Sequence, residues 1–231
     1  MKSWFGEPAL QTLHCYTIGH SDHSIDSFIH LLRKFKVDTL VDVRSAPFSQ
    51  YQPQFNKEQL KNSIEFFTDS SQNGFTKASE LEPTKKIMYQ FMGDKLGGRW
   101  DDPDLVFLGN AVVDYNKIRG EPKFKNGLEE LLAIISYGKI VALMCSEKDP
   151  FDCHRFLLVS HSLAQKNITI EHILSNGDSI SNGELEKKLL KKYGSAPLEK
   201  LYELRNKDVG YTLNNGVIPN RKKTENRTLN V

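Results

Sequence analysis

The chain has 231 residues, 39% of them hydrophobic and 26% charged, with a formal net charge of +2. That balance describes a folding chain with a sizeable core. It gives no whole-protein field to draw in nucleic acid, and no apolar run is long enough to span a membrane. Three cysteines and an N-terminus without the apolar stretch of a signal peptide point to the cytoplasm, where paired cysteines mean metal or catalysis more often than a bridge.

Residues 1–12 read as a loosely attached arm. Cys15 to Ile18 is a short β-prone run that stops at Gly19, a first strand. Ser24 is placed to cap a helix whose apolar stripe is Ile25, Phe28, Ile29, Leu32 and Phe35. Thr39 to Val43 is a second strand of the continuously buried type. Pro47 and Pro53 force residues 44–55 into a loop. Asn56 can cap a helix reaching about Phe67, with Leu60, Ile64 and Phe67 on one face. Residues 69–85 are polar and read as an insertion.

Ile87 to Met92 is a third strand, followed by a tight Gly97-Gly98 loop. Residues 105–123 carry no clear period. Leu128, Leu131, Leu132 and Ile135 form a helical stripe that ends near Gly138. Ile140 to Met144 is the strongest buried strand and ends at Cys145. A loop follows, then a helix carrying Phe156, Leu157, Val159, Leu163 and Ala164, with Asp152 as the expected cap. Ile168-Thr169-Ile170 opens a fifth strand. Glu184 to Tyr193 is an amphipathic helix, and from Asn206 onward the composition suggests extended or disordered chain ending in a solvated basic tail. Strands alternating with helices predict an α/β fold: a mainly parallel sheet of about five strands with helices on both faces. The expected division is an arm over 1–12, the α/β domain over 13–175, and a C-terminal helical extension with a flexible tail over 176–231.

In an open parallel sheet, ligands bind beyond the carboxyl ends of the strands. Three polar clusters fall there: His20 and Ser21 after the first strand, Asp42, Arg44 and Ser45 after the second, and Cys145 with Glu147 after the strongest one. The loop from Cys145 to Arg155 is the densest, with Cys153, His154 and Arg155 opening a helix whose free N–H groups and dipole favour an anion or a thiolate. Leu96-Gly97-Gly98-Arg99 can bring backbone and a guanidinium to the same place. Cys15 is read as core, and no partner pattern supports His14, His23, His30, His161 or His172. Tyr51, Phe55, Phe66 and Phe67 are assigned to core packing.

Together these residues resemble a family known only as domain of unknown function 488. The matching elements are Tyr16-Thr17-Ile18-Gly19-His20-Ser21, Val41-Asp42-Val43-Arg44-Ser45 with Pro47 and Ser49, and Pro53-Gln54-Phe55-Asn56. Leu96-Gly97-Gly98-Arg99 follows, then Ala142-Leu143-Met144-Cys145-Ser146-Glu147 leading to Cys153-His154-Arg155. Ser21 stands where many members have glycine, and Ser146 where many have alanine. The resemblance implies a fold and a set of site positions rather than a reaction. A looser likeness to rhodanese domains rests on Asp42-Val43-Arg44 and Cys145, although the loop from Cys145 to Arg155 is longer than the rhodanese loop.

The leading expectation is an enzyme, a hydrolase or transferase, acting on an anionic substrate such as a nucleotide or nucleic acid. His20, Asp42, Cys145 and Glu147 would carry the chemistry, and Ser21, Arg44, Ser45, Gly97, Gly98, Arg99, His154 and Arg155 would hold the substrate. Three alternatives stand beside it. Cys145, Cys153 and His154, with His20 or Glu147 as a fourth ligand, can bind zinc or iron. The chain can be a nucleic-acid or nucleotide-binding module without turnover. Or Cys145 and Cys153 can form a reversible disulfide.

Overall fold

A computed structural model describes residues 13–66 and 86–213. The expected arm over 1–12, the insertion over 69–85 and the basic residues beyond 213 lie outside the described residues. Six strands form one sheet: β1 (His14–Gly19), β2 (Thr39–Asp42), β3 (Met88–Phe91), β4 (Val141–Cys145), β5 (Thr169–Ile173) and β6 (Ser179–Ser181). Their spatial order is β3-β2-β4-β1-β5-β6. The first five are parallel, and β6 pairs antiparallel on the β5 edge. The five expected strands are all present. The sixth is only Ser-Ile-Ser, too short and polar to be read from its own residues.

Side chains alternate across the sheet and so define two cores. On one face Cys15, Val41, Val43, Val141, Leu143, Cys145 and Ile170 are buried. On the other face Ile18, Leu40, Ala142, Met144 and Ile173 are buried. The second face is covered by α1 (Ile25–Lys34) and α2 (Lys57–Phe66), through Phe28, Ile29 and Leu32 and through Leu60 and Ile64. Ser24 caps α1 as expected, its side chain accepting from the Ser27 amide. A short helix, α3 (Gly93–Leu96), follows β3.

The first face carries the larger layer. The unassigned stretch contains a 3-10 turn at Pro103–Leu105 and α4 (Tyr115–Gly120), started by the Asp114 side chain on the Asn116 amide. Next comes α5 (Pro122–Ser136), which buries Phe124, Leu128, Leu131 and Ile135 and begins earlier than its apolar stripe, at a proline suited to the first turn. Beyond β4, Pro150–Asp152 makes a 3-10 turn. The chain then winds as a π-helix over Arg155–Ser160, continued by α6 (His161–Ala164). The turn is capped by Asp149, which accepts from the Phe151 amide. The helix after it has no side-chain cap: Asp152, expected in that role, pairs with Arg205.

The C-terminal part also joins this layer. α7 (Asn182–Tyr193) starts with a capping box between Ser181 and Glu184 and buries Leu185 and Leu189. α8 (Leu198–Val209) buries Leu201, Tyr202 and Val209. The chain is therefore helical past Asn206, where an extended segment was expected. The reason is a buried Asn206 side chain, which accepts from the Tyr115 amide at 2.9 Å and donates to the Val113 carbonyl at 3.0 Å. After α8, Tyr211 is 8% exposed and its carbonyl accepts from the Val113 amide.

Candidate metal centre at the carboxyl edge of the sheet

The register sets Gly19 beside Cys145 and Asp42 beside Met144, so the ends of β1, β4 and β2 form one continuous edge. Every cluster expected from the sequence lies along it. Strand alternation then separates them. Cys145 follows Val141 and Leu143 onto the larger face, whereas Asp42 and Arg44 follow Leu40 onto the smaller one, and His20 follows Ile18 there. What the sequence presents as one site is two clusters on opposite sides of the edge.

The smaller-face cluster is a closed ion pair. Arg44 donates Nε to Asp42 Oδ1 at 2.9 Å and Nη2 to Asp42 Oδ2 at 2.6 Å. Nη2 also donates to the Phe55 carbonyl, and Nη1 to His20 Nε2 at 3.2 Å. His20 Nε2 therefore accepts, which leaves the proton on Nδ1 facing the Ser21 carbonyl. Burial, then the neighbouring guanidinium, push the His20 pKa down to about 4, so the ring is neutral. It stacks on Phe55 at 4.4 Å. Tyr89, not singled out in the sequence, donates to Asp42 Oδ2 at 2.7 Å. Ser21 has a φ of 43°, a conformation that glycine adopts without strain.

On the larger face, Cys145, Glu147, Cys153 and His154 bring one ligand atom each to within 4.8 Å of one another. Glu147 Oε2 lies 2.8 Å from Cys145 Sγ and 3.1 Å from Cys153 Sγ. His154 Nδ1 lies 3.5 Å from Cys145 Sγ and 3.9 Å from Cys153 Sγ. The other ring nitrogen, Nε2, is 2.9 Å from the Val43 carbonyl. A carbonyl only accepts, so Nε2 carries the proton and the Nδ1 lone pair faces the sulfurs. The Arg155 amide reaches Cys153 Sγ at 3.5 Å. Burial opposes ionisation of both thiols. The Cys153 contact, His154 and Arg155 nevertheless hold Cys145 well below the ordinary thiol range, while burial and then the Cys145 neighbour push Cys153 well above it.

Two close approaches build this cluster. A Cβ on Gly19 would sit 1.9 Å from the Glu147 carbonyl and 2.9 Å from Arg155 Nη1. A Cβ on Gly98 would sit 2.8 Å from the His154 ring and from Tyr211. The Gly97-Gly98 pair, expected to admit a ligand, thus admits Ser45 and His154, and the Ser45 hydroxyl accepts from the Arg99 amide. Arg155 is fully buried and donates to the Glu147 carbonyl at 2.6 Å and the Lys148 carbonyl at 3.2 Å. It holds the loop and does not face solvent. Tyr211, which sequence reasoning missed, donates to Glu147 Oε1 at 3.2 Å, and Arg99 lies 4.8 Å from the Tyr211 ring centre. The sequence signal for it was slight: one aromatic after Gly210 in a segment read as extended. A cavity of about 340 Å³ opens at the opposite edge, beside Leu13, Tyr16, Phe35 and Ile140, and contains none of these residues.

Fold and site define an open α/β protein with a cluster of two cysteines, a histidine and a glutamate on the carboxyl edge of its sheet. The chain belongs to the family described as Domain of unknown function DUF488, whose profile matches residues 24–161, more than half of its length. Comparisons with curated proteins and with solved structures returned no match. No helix among the described residues is long and apolar enough to cross a membrane.

Proposed function

We propose that this is a metal-binding protein in which Cys145, Glu147, Cys153 and His154 hold one divalent ion, with zinc preferred over iron. The observation that carries the reading is the convergence of two sulfurs, one carboxylate oxygen and one imidazole lone pair on a single buried point. Tetrahedral bonds of ~2.3 Å to sulfur and ~2.0 Å to nitrogen or oxygen place such atoms about 3.5 Å apart. The sulfur–nitrogen separations are 3.5 and 3.9 Å, and the Glu147 oxygen, at 2.8 and 3.1 Å from the sulfurs, would move outward on binding. Two thiols, an imidazole and a carboxylate form a borderline-soft donor set that suits zinc. The surroundings support it: the Val43 carbonyl fixes the His154 tautomer, and the Arg155 amide points at the Cys153 sulfur.

The wider expectation of an enzyme for an anionic, nucleotide-like substrate keeps Arg99 as its support. Arg44 and Arg155 both have their guanidinium groups bonded to the protein itself. In this reading they are positioning residues.

The test is metal content per chain, on protein purified without chelator. Wild type should carry about one zinc, and Cys153→Ser almost none, since loss of a thiolate removes a main contributor to zinc affinity. A wild type that stays metal-free even after incubation with zinc would falsify the reading.

A further inference from the structure

The four ligand side chains are not equally enclosed. Cys145, Cys153 and His154 are at most 3% exposed, whereas Glu147 is half-buried. Glu147 is thus the ligand on the solvent side of the cluster. Tyr211 bonds it, and Arg99 packs on Tyr211. The Tyr211 hydroxyl holds Oε1, the carboxylate oxygen turned away from the sulfurs. The guanidinium of half-buried Arg99 lies over the Tyr211 ring. Of the three arginines near the edge, Arg44 and Arg155 bond to carboxylate, imidazole or carbonyl groups. Among the described residues, the Arg99 side chain has only the Tyr211 ring, and its backbone amide is what bonds to Ser45.

We infer that Glu147 is an exchangeable ligand, and that the oxyanionic group of a small substrate, phosphate or carboxylate, takes its place with Arg99 as counter-ion. The inference rests on the metal centre proposed above. The exchange is oxygen for oxygen, so it leaves two sulfurs and one nitrogen in place and forms no covalent bond. Glu147 loses nothing at Oε1, because the Tyr211 hydroxyl already bonds that atom. Arg99 offers a planar fork suited to a two-oxygen anion, and a position over an aromatic face keeps such a guanidinium flat and aimed. Three enclosed ligands with a fourth position that a substrate can take is also the arrangement that distinguishes a working metal site from a purely structural one.

The experiment uses the full chain loaded with cobalt(II) in place of zinc and freed of excess metal. Its visible absorption reports the ligand set, and inorganic phosphate and acetate are titrated in separate arms. Saturable spectral change is expected in wild type with at least one of them, and the arm that responds at lower concentration identifies the preferred group. Arg99→Ala should bind cobalt to the same stoichiometry yet need about tenfold more anion or above, as expected on losing a charge-assisted hydrogen bond. Arg99→Lys should recover part of that loss. A chain that takes up no cobalt sinks both the metal centre and this subsite. A chain that takes up cobalt, but whose spectrum neither anion moves or whose Arg99→Ala variant responds like wild type, sinks the subsite alone.

Discussion

At Gly19 the requirement for glycine comes from the loop after the neighbouring strand and not from backbone torsion. The residue ends β1 beside Cys145, and the Glu147 carbonyl crosses where a side chain would begin. In Gly19→Ala, either β1 or the Glu147 loop must move. The same movement drags Arg155, which is tied to that carbonyl at 2.6 Å. Overpacking of this kind costs ~1–3 kcal/mol. We expect a fall of about 2 kcal/mol in denaturant unfolding, together with partial loss of bound metal. Gly183 provides the contrast. It lies in the first turn of α7 with open space where a Cβ would go, so Gly183→Ala should be neutral or stabilising by up to ~1 kcal/mol. If Gly19→Ala is as stable as wild type and retains its metal, the approach is not what fixes the loop.

At the scale of elements, α8 connects the C-terminal segment to the site. Asn206 bonds both the Tyr115 amide and the Val113 carbonyl, and the Val113 amide in turn bonds the Tyr211 carbonyl. Asn206→Ala removes one hydrogen bond from each of two buried backbone groups, at ~1–3 kcal/mol each. The expected loss is therefore about 2 kcal/mol or more, with faster amide exchange around residues 209–213. A loss below about 0.5 kcal/mol would mean that α8 is held by its apolar face alone. This element also marks where sequence reading stopped. The strands announced themselves because Ile140–Met144 is an unbroken apolar run and Leu40, Val41 and Val43 are broken only by Asp42, and Ser24 marks the start of α1. Leu198, Leu201, Tyr202 and Val209 do follow a helical spacing, but in the sequence only Glu184 to Tyr193 reads as a helix, and the chain from Asn206 on as extended. What covers that face is α7, α4 and the helix after Cys153, contacts that no local pattern encodes. The site shows the same division. Its residues were legible as polar groups at strand ends, and Glu147 was open as a fourth ligand. That His20 and Arg44 face away from the thiols follows from strand parity only once the register is known. That the Arg155 guanidinium is turned onto the loop's own carbonyls needed the folded loop.

Across the whole molecule, the ligand set joins the sheet edge, a loop and a helix. Cys145 ends β4, Glu147 lies in an exposed loop, and Cys153 and His154 start the helical segment that packs against α8. Tyr211 brings in the C-terminal segment through Glu147. A bound ion would therefore close a ring of loop, sheet edge and helix. The preformed cluster does not exist in the unfolded chain, so binding free energy adds to folding stability. At free metal a thousandfold above the dissociation constant the gain is about 4 kcal/mol. For a domain of this size each kcal/mol moves the thermal midpoint by ~2–4 °C. Stripping the metal with a strong chelator should then lower the midpoint by about 10 °C, and readdition of zinc should restore it. Cys153→Ser should already melt at the lower temperature and be insensitive to chelator. If chelator shifts wild type and Cys153→Ser equally, the ion it removes is bound elsewhere. If it shifts neither while wild type loses its zinc, the cluster holds metal without bracing the fold, and the edge of the sheet is stable on the strength of the Arg155 and Asp42–Arg44 contacts alone.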